Sequence, residues 1–181
     1  MTLPLLRPYQ VYEIEKPRPK SDLYAISDRV LAKDVVGIVR TEGPVHADLL
    51  YYRMAKLYGI DRAGSDVRRA VDRAMREATR AGEVERRKFF YWPAGLDSAE
   101  PRVAGPRTVD QIAPEELQGT VLTVLRASGS MLGEELVRAT ARALGFQRTG
   151  ASLNSGISGA IDALRAAGQI IESGDGLAAK A

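Results

Sequence analysis

Four arginines, Arg69, Arg73, Arg76 and Arg80, stand 4, 3 and 4 residues apart in the stretch SDVRRAVDRAMREATR. On a helix this spacing lines them up on one side, away from Val67, Val71, Ala74, Met75 and Ala78, which take the opposite side. The chemistry open to such a row is neutralisation of phosphates. A second cationic group, Arg86, Arg87 and Lys88, follows shortly after. The competing reading is a solvated face. Asp66, Asp72 and Glu77 are interleaved with the arginines: Asp72 can pair with Arg68 and Arg76, and Glu77 with Arg73 and Arg80.

Other chemistry finds little support. The chain has no cysteine and one histidine, His46, so a zinc site and a cysteine nucleophile lack their ligands and groups. His46 follows Pro44-Val45 at the start of a helical stretch, where a capping role fits. Glu115-Glu116 and Glu134-Glu135 are adjacent pairs near helix starts; their side chains diverge and suit the helix dipole better than acid–base work. No phosphate-cradling glycine–lysine loop is present, and GISGA (156–160) lies within a helical pattern, where it favours close packing. A noncatalytic protein is expected, with no cofactor and no metal.

The elements that must position the arginines follow from the apolar pattern. The frequent prolines of residues 1–26 dictate an extended N-terminal arm, with YQVYEI (9–14) as a candidate edge strand. Ser27-Asp28 starts a helix carrying Leu31, Val35, Ile38 and Val39, which ends at Glu42-Gly43-Pro44. A second helix spans about Ala47–Tyr58, with Gly59 as its left-handed cap. A third begins at Ser65, read as its N-cap, and Gly82 ends it. EVERRKFFYW (83–92) reads as a two-stranded ribbon with its tip near Arg87, in which Phe89, Phe90, Tyr91 and Trp92 either stack on bases or, as is commoner, bury alternate rings. Residues 93–113 read as a linker, and Pro114-Glu115-Glu116 opens a new helix.

The plan then repeats. GIDRAG (59–64) and GFQRTG (145–150) lie 86 residues apart, and that offset carries Val35 to Val121, Gly43 to Gly129, Leu50 to Leu136 and Gly82 to Gly168 without a gap. The expected fold class is mainly α (α+β): two tandem winged-helix units, a basic one over 27–92 and an acidic to neutral one over 114–178. Residues 33–92 carry 13 Lys/Arg and 9 Asp/Glu, whereas 114–176 carry 5 and 7. The stripe positions become Ser155, Gly159, Asp162 and Ala166 in the second copy, and the ribbon cations become Glu172, Ser173 and Gly174. Arg62 and Arg148 are shared by both copies, either as loop anchors or as phosphate ligands beside a helix N-terminus. The small residues of SLNSGISGAIDALRAAG suit close packing against the first copy, a partner domain or another chain.

At EGPVH (42–46), GIDRAG (59–64), FFYWP (89–93), IAPEEL (112–117) and LGFQRTG (144–150) the chain resembles a bacterial domain of unknown function. That domain lies at the C-terminal end of large superfamily-one helicase-like proteins, which often also carry a restriction-endonuclease-like domain. The resemblance covers about residues 30–176. It implies a C-terminal portion or free-standing relative of such a protein, with helicase and nuclease domains of a parent chain as partners. It supplies no catalytic residues. The resulting expectation is a cytoplasmic, bacterial, noncatalytic accessory that binds duplex or branched DNA through Arg62, Arg69, Arg73, Arg76, Arg80, Arg86, Arg87 and Lys88. The rival is a protein-interaction module, dimerising through the second winged helix. No apolar run approaches the ~20 residues of a membrane span, so no membrane association is expected.

Overall fold

The computed structural model describes residues 4–174 and 176–180. Seven α-helices and two three-stranded antiparallel sheets make a mixed α+β fold among them. The chain forms two compact units: Gln10–Asp97, and Ser98 onward together with the stretch ending at Tyr9.

The first unit contains a short α1 (Asp22–Ala25), then α2 (Asp28–Glu42), β1 (Val45–His46), α3 (Ala47–Leu57), α4 (Ser65–Arg80), β2 (Val84–Arg87) and β3 (Phe90–Pro93). The strands pair in the order β1-β3-β2, with Val45 opposite Tyr91 and Arg86 opposite Tyr91 on the other side. The apolar stripes meet in one core: Leu31, Val35, Ile38 and Val39 of α2, Leu50 and Met54 of α3, and Val67, Val71 and Ala74 of α4 are all buried. Gly59 turns the chain after α3 at φ +62°, and Gly82 turns it after α4 at φ +70°, where a β-carbon would be strained. Ser65 is the first helical residue and Gly64 the cap, one residue earlier than the sequence suggested.

No strand forms over residues 9–14. The Tyr12 amide instead donates to Glu42 Oε1 at 2.9 Å, and Arg53 Nε donates to the same oxygen at 2.6 Å. Further along the arm, Arg18 and the Tyr58 hydroxyl both donate to Asp34 Oδ2, at 2.5 and 2.6 Å. Two carboxylates buried on α2 thus tie down residues 10–18. A buried carboxylate requires such partners, since unpaired it would lose its hydration without return.

The second unit repeats the plan. Helices α5 (Pro114–Ser128), α6 (Gly133–Ala143) and α7 (Ala151–Ala166), and strands β5 (Ile170–Ser173) and β6 (Gly176–Ala179), each lie 86 residues beyond their counterparts. Only β4 (Ser130–Met131) departs, starting one residue early, and the strand order β4-β6-β5 is the same. The shared backbone follows from shared core positions: Val121, Leu125, Leu136 and Ile157 are fully buried, as are Val35, Val39, Leu50 and Val71.

Residues 98–113 are packed onto this unit. Ala104, Val109, Ile112 and Ala113 are buried, and Val109–Gln111 makes a 3-10 turn with a Thr108/Gln111 capping box. Gly156 of α7 accommodates that turn. A β-carbon there would lie 2.8 Å from Val109 Cγ2, so one glycine of GISGA serves packing within its own unit. Glu116 is fully buried rather than a solvated helix-start acid. Arg107 grips both its oxygens at 2.8 and 2.9 Å, Arg102 adds bonds at 2.9 and 3.2 Å, and the Tyr9 ring lies 4.0 Å from the Arg107 guanidinium carbon.

Candidate nucleic-acid interface

Helix α4 presents its buried residues to the core and its arginines to solvent. Arg69, Arg73, Arg76 and Arg80 are all exposed, and they lie opposite Ala70, Ala74 and Ala78, as their spacing requires. Of the pairs the spacing suggested, Arg80 with Glu77 forms, while Asp72 and Arg73 take other partners. Arg69 pairs with Asp66, and Arg80 with Glu77 at 2.6 Å, each three residues apart. Arg73 reaches Asp28 at the start of α2, at 3.1 Å. Asp72 leaves the arginines altogether and accepts a hydrogen bond from the Tyr51 hydroxyl at 2.5 Å. Arg76 has no ion pair among the described residues.

The ribbon cations divide in the same way. Arg87 is held inward. It lies 4.2 Å from the Trp92 ring, pairs with Glu85 at 2.9 Å, and donates to the carbonyl oxygens of Leu96 and Asp97. The Arg87 bond, with the Gly95 amide, holds the Glu85 carboxyl below the usual range. Arg87 therefore closes the ribbon onto residues 94–97. Arg86 donates only to the Lys88 carbonyl, and Lys88 itself forms the exposed tip. Arg62 is likewise exposed on the loop before α4, with no carboxylate or carbonyl partner among the described residues, so no anchoring bond fixes it.

The helix stripe and the ribbon meet around Tyr91. This phenol is buried, which raises its pKa; Arg86 and Arg76 are both near enough to oppose the rise. Beside this phenol, Tyr51 is pushed up to about 12 by burial and by its bond to Asp72. Arg68, which the spacing argument set aside as a partner for Asp72, lies over the Tyr51 ring at 4.6 Å and pairs with Asp48 at 3.3 Å. The ribbon aromatics do not alternate: Phe90, Tyr91 and Trp92 are all buried, and only Phe89 is exposed, at 65%. His46 caps α3, its Nδ1 accepting from the Asp48 amide at 3.2 Å.

The second unit carries a cationic feature that the charge count obscured. Arg138 and Arg142 on α6 and Arg148 on the following loop line one shallow hollow with Phe146 and Thr149. Arg138 faces Glu134 at 3.6 Å; Arg142 and Arg148 have no ion pair among the described residues. The i, i+4 spacing of Arg138 and Arg142 was the available signal, masked by the seven acids of that half.

No group of three or more His, Asp or Glu side chains is placed to hold a metal ion among the described residues. No helix among them is long and apolar enough to cross a membrane. A family model described as a protein of unknown function (DUF3320) matches residues 21–69. The match runs from α1 through α3 to the first turn of α4, ending at Arg69, and leaves out the rest of α4 and strands β2 and β3. It agrees with the resemblance drawn from the motifs at the level of a domain of unknown function, over a shorter span. No curated protein and no solved structure matches the chain.

Proposed function

We propose that both repeats are winged helices and that the first binds duplex or branched DNA, as a noncatalytic accessory of a helicase or nuclease. In this reading α4 enters the major groove and the β2–β3 ribbon lies along the phosphates. The observation that carries it is the contrast between repeats built on one backbone. The cationic row of α4 and the cations of the ribbon tip are present in one copy and replaced by Ser155, Gly159, Asp162, Ala166, Glu172 and Gly174 in the other. Core packing does not call for them, since both copies fold alike.

The ion pairs along α4 do not defeat the reading. Exposed pairs are worth about 0–1 kcal/mol, so a phosphate can displace Asp66 or Glu77 from its arginine. Arg62, Arg76, Arg86 and Lys88 have no acidic partner to displace among the described residues, and they form the first set to engage.

The test is fluorescence anisotropy of labelled duplex DNA across a salt series. Neutralising about four phosphates gives a slope of log K against log salt near −3.6. Changing Arg69, Arg73, Arg76 and Arg80 together to alanine lowers affinity and flattens the slope. An unchanged slope removes the stripe from the interface. Absence of binding at moderate salt, with a dimer in light scattering, favours the protein-interaction alternative through the second repeat.

A further inference from the structure

We propose that the ribbon tip of the first repeat holds an unpaired nucleobase, so that the protein prefers duplex ends and single-strand junctions to continuous duplex. This deepens the DNA-binding reading and rests on it. Between the start of α3, the middle of α4 and the ribbon lies an open hollow of about 470 Å³, lined by His46, Asp48, Tyr51, Arg86, Phe89 and Tyr91. That volume is within the range of small-molecule sites. Its mouth is formed by Phe89, whose ring is mostly exposed and stands 6.2 Å from the His46 ring. His46 in turn meets Phe90 edge-on at 5.2 Å, so the platform is backed by packed rings.

Three features select a base rather than an apolar peptide. Flat rings at the mouth offer stacking, which is tolerant of base identity. The Asp48 carboxylate, half exposed and paired on one side with Arg68 at 3.3 Å, keeps lone pairs that can accept from the exocyclic amine or ring N–H of a base whose pairing edge is free. Arg86 lies in the wall and Lys88 next to Phe89, which places positive charge where the attached phosphates would run. A paired base inside a duplex presents neither a free face nor a free pairing edge; an unpaired base at a frayed end or a junction presents both.

The other repeat supports the assignment by lacking it. At the 86-residue offset His46, Tyr51, Arg86, Phe89 and Tyr91 become Leu132, Val137, Glu172, Asp175 and Leu177, and only the acid at Asp48 is kept, as Glu134. The fold therefore requires neither the rings nor the cation at these positions. Phe89 itself gains little burial there.

The experiment competes three unlabelled DNAs of one sequence against a labelled forked duplex bound to the full chain: a covalently closed circle, a blunt duplex and a fork with unpaired arms. The fork is expected to compete about tenfold better than the circle per site, the size of one base stack at the modest end of its range. Phe89→Ala abolishes that preference while leaving affinity for the circle and its salt slope unchanged. Phe89→Trp restores the preference. Because Phe89 is exposed, neither change threatens the fold. Equal competition by circle and fork, or a preference that survives Phe89→Ala, overturns the proposal. Loss of binding to all three DNAs would refute the underlying DNA reading instead.

Discussion

Lys88 and Gly174 hold the same turn in the two repeats, with φ of 54° and 57°. Glycine takes that left-handed conformation freely; a residue with a β-carbon does so at roughly 1–2 kcal/mol. The first repeat therefore carries strain at its ribbon tip that the second avoids, with an ammonium group exposed there.

Lys88→Gly should accordingly stabilise the first unit. The strain relieved exceeds the ~0.5–1 kcal/mol of chain entropy that glycine adds to the unfolded state, leaving a net gain of about 0.5–1 kcal/mol. Urea unfolding followed by the fluorescence of Trp92, the single tryptophan, reads this directly. The same variant should bind DNA more weakly, with a salt slope less negative by about 0.9. Unchanged affinity would separate the strained turn from binding.

Asp66 and Glu77 compete with phosphate for Arg69 and Arg80. Converting both acids to their amides, Asp66→Asn and Glu77→Gln, should raise DNA affinity by about fivefold, the worth of roughly 1 kcal/mol of exposed ion pairing no longer displaced. Stability should change by less than about 0.5 kcal/mol, because both acids sit on the solvent side of α4. Affinity that stays level, or falls, would show that these two arginines never reach the DNA.

Sequence showed the repeat because glycines and core positions answer to local rules. A left-handed turn needs a glycine at 59 and again at 145, and an apolar face needs a side chain every three to four residues. It showed the arginine row for the same reason. What it hid were partners brought from far along the chain. Asp28 reaches Arg73 across 45 residues, and Tyr12 finds Glu42 across 30. That second bond removes the strand expected at 9–14, because the amide is already committed to a carboxylate. Glu116 resembled a dipole-stabilising acid until Arg102 and Arg107 enclosed it. Phe90, Tyr91 and Trp92 broke the alternation because the strand is covered on both faces, a tertiary fact with no local signature.

Tyr51 gives the first unit a pH dependence on the alkaline side. Its pKa is about 12 in the folded chain, against about 10 when unfolded. Between those values the unfolded chain sheds a proton that the folded one keeps. The stabilisation is thus fully present below about pH 10 and is lost as pH rises toward 12. Tyr51→Phe should lose less stability across that window than the parent, as measured by urea unfolding at a series of alkaline pH values. Asp72→Asn should bring the phenol part of the way back toward its ordinary value, since burial remains as the larger cause. Identical pH profiles for Tyr51→Phe and the parent would show that neither burial nor Asp72 shifts the phenol in the folded chain.

The Arg102–Glu116–Arg107 cluster makes the second unit sensitive to loss of a single charge. Arg107 and Glu116 have no exposed side-chain surface, and Arg107 also donates to the carbonyl oxygens of Val103 and Ala104. Glu116→Gln keeps the volume and removes the charge, leaving two guanidinium groups facing a neutral amide out of water. Breaking a buried pair from one side costs about 3–5 kcal/mol, far more than the pair itself contributes, because the remaining charge has no solvent to return to. The loss should appear in far-ultraviolet circular dichroism, which reports helices of both units. Trp92 fluorescence reports the first unit alone, so a transition unmoved by that probe localises the damage to the second. Arg69→Ala provides the contrast: its guanidinium is 73% exposed, and removing it should cost less than about 0.5 kcal/mol. A Glu116→Gln loss as small as that of Arg69→Ala would mean that water reaches the cluster and that the arm ending at Tyr9 does not seal it.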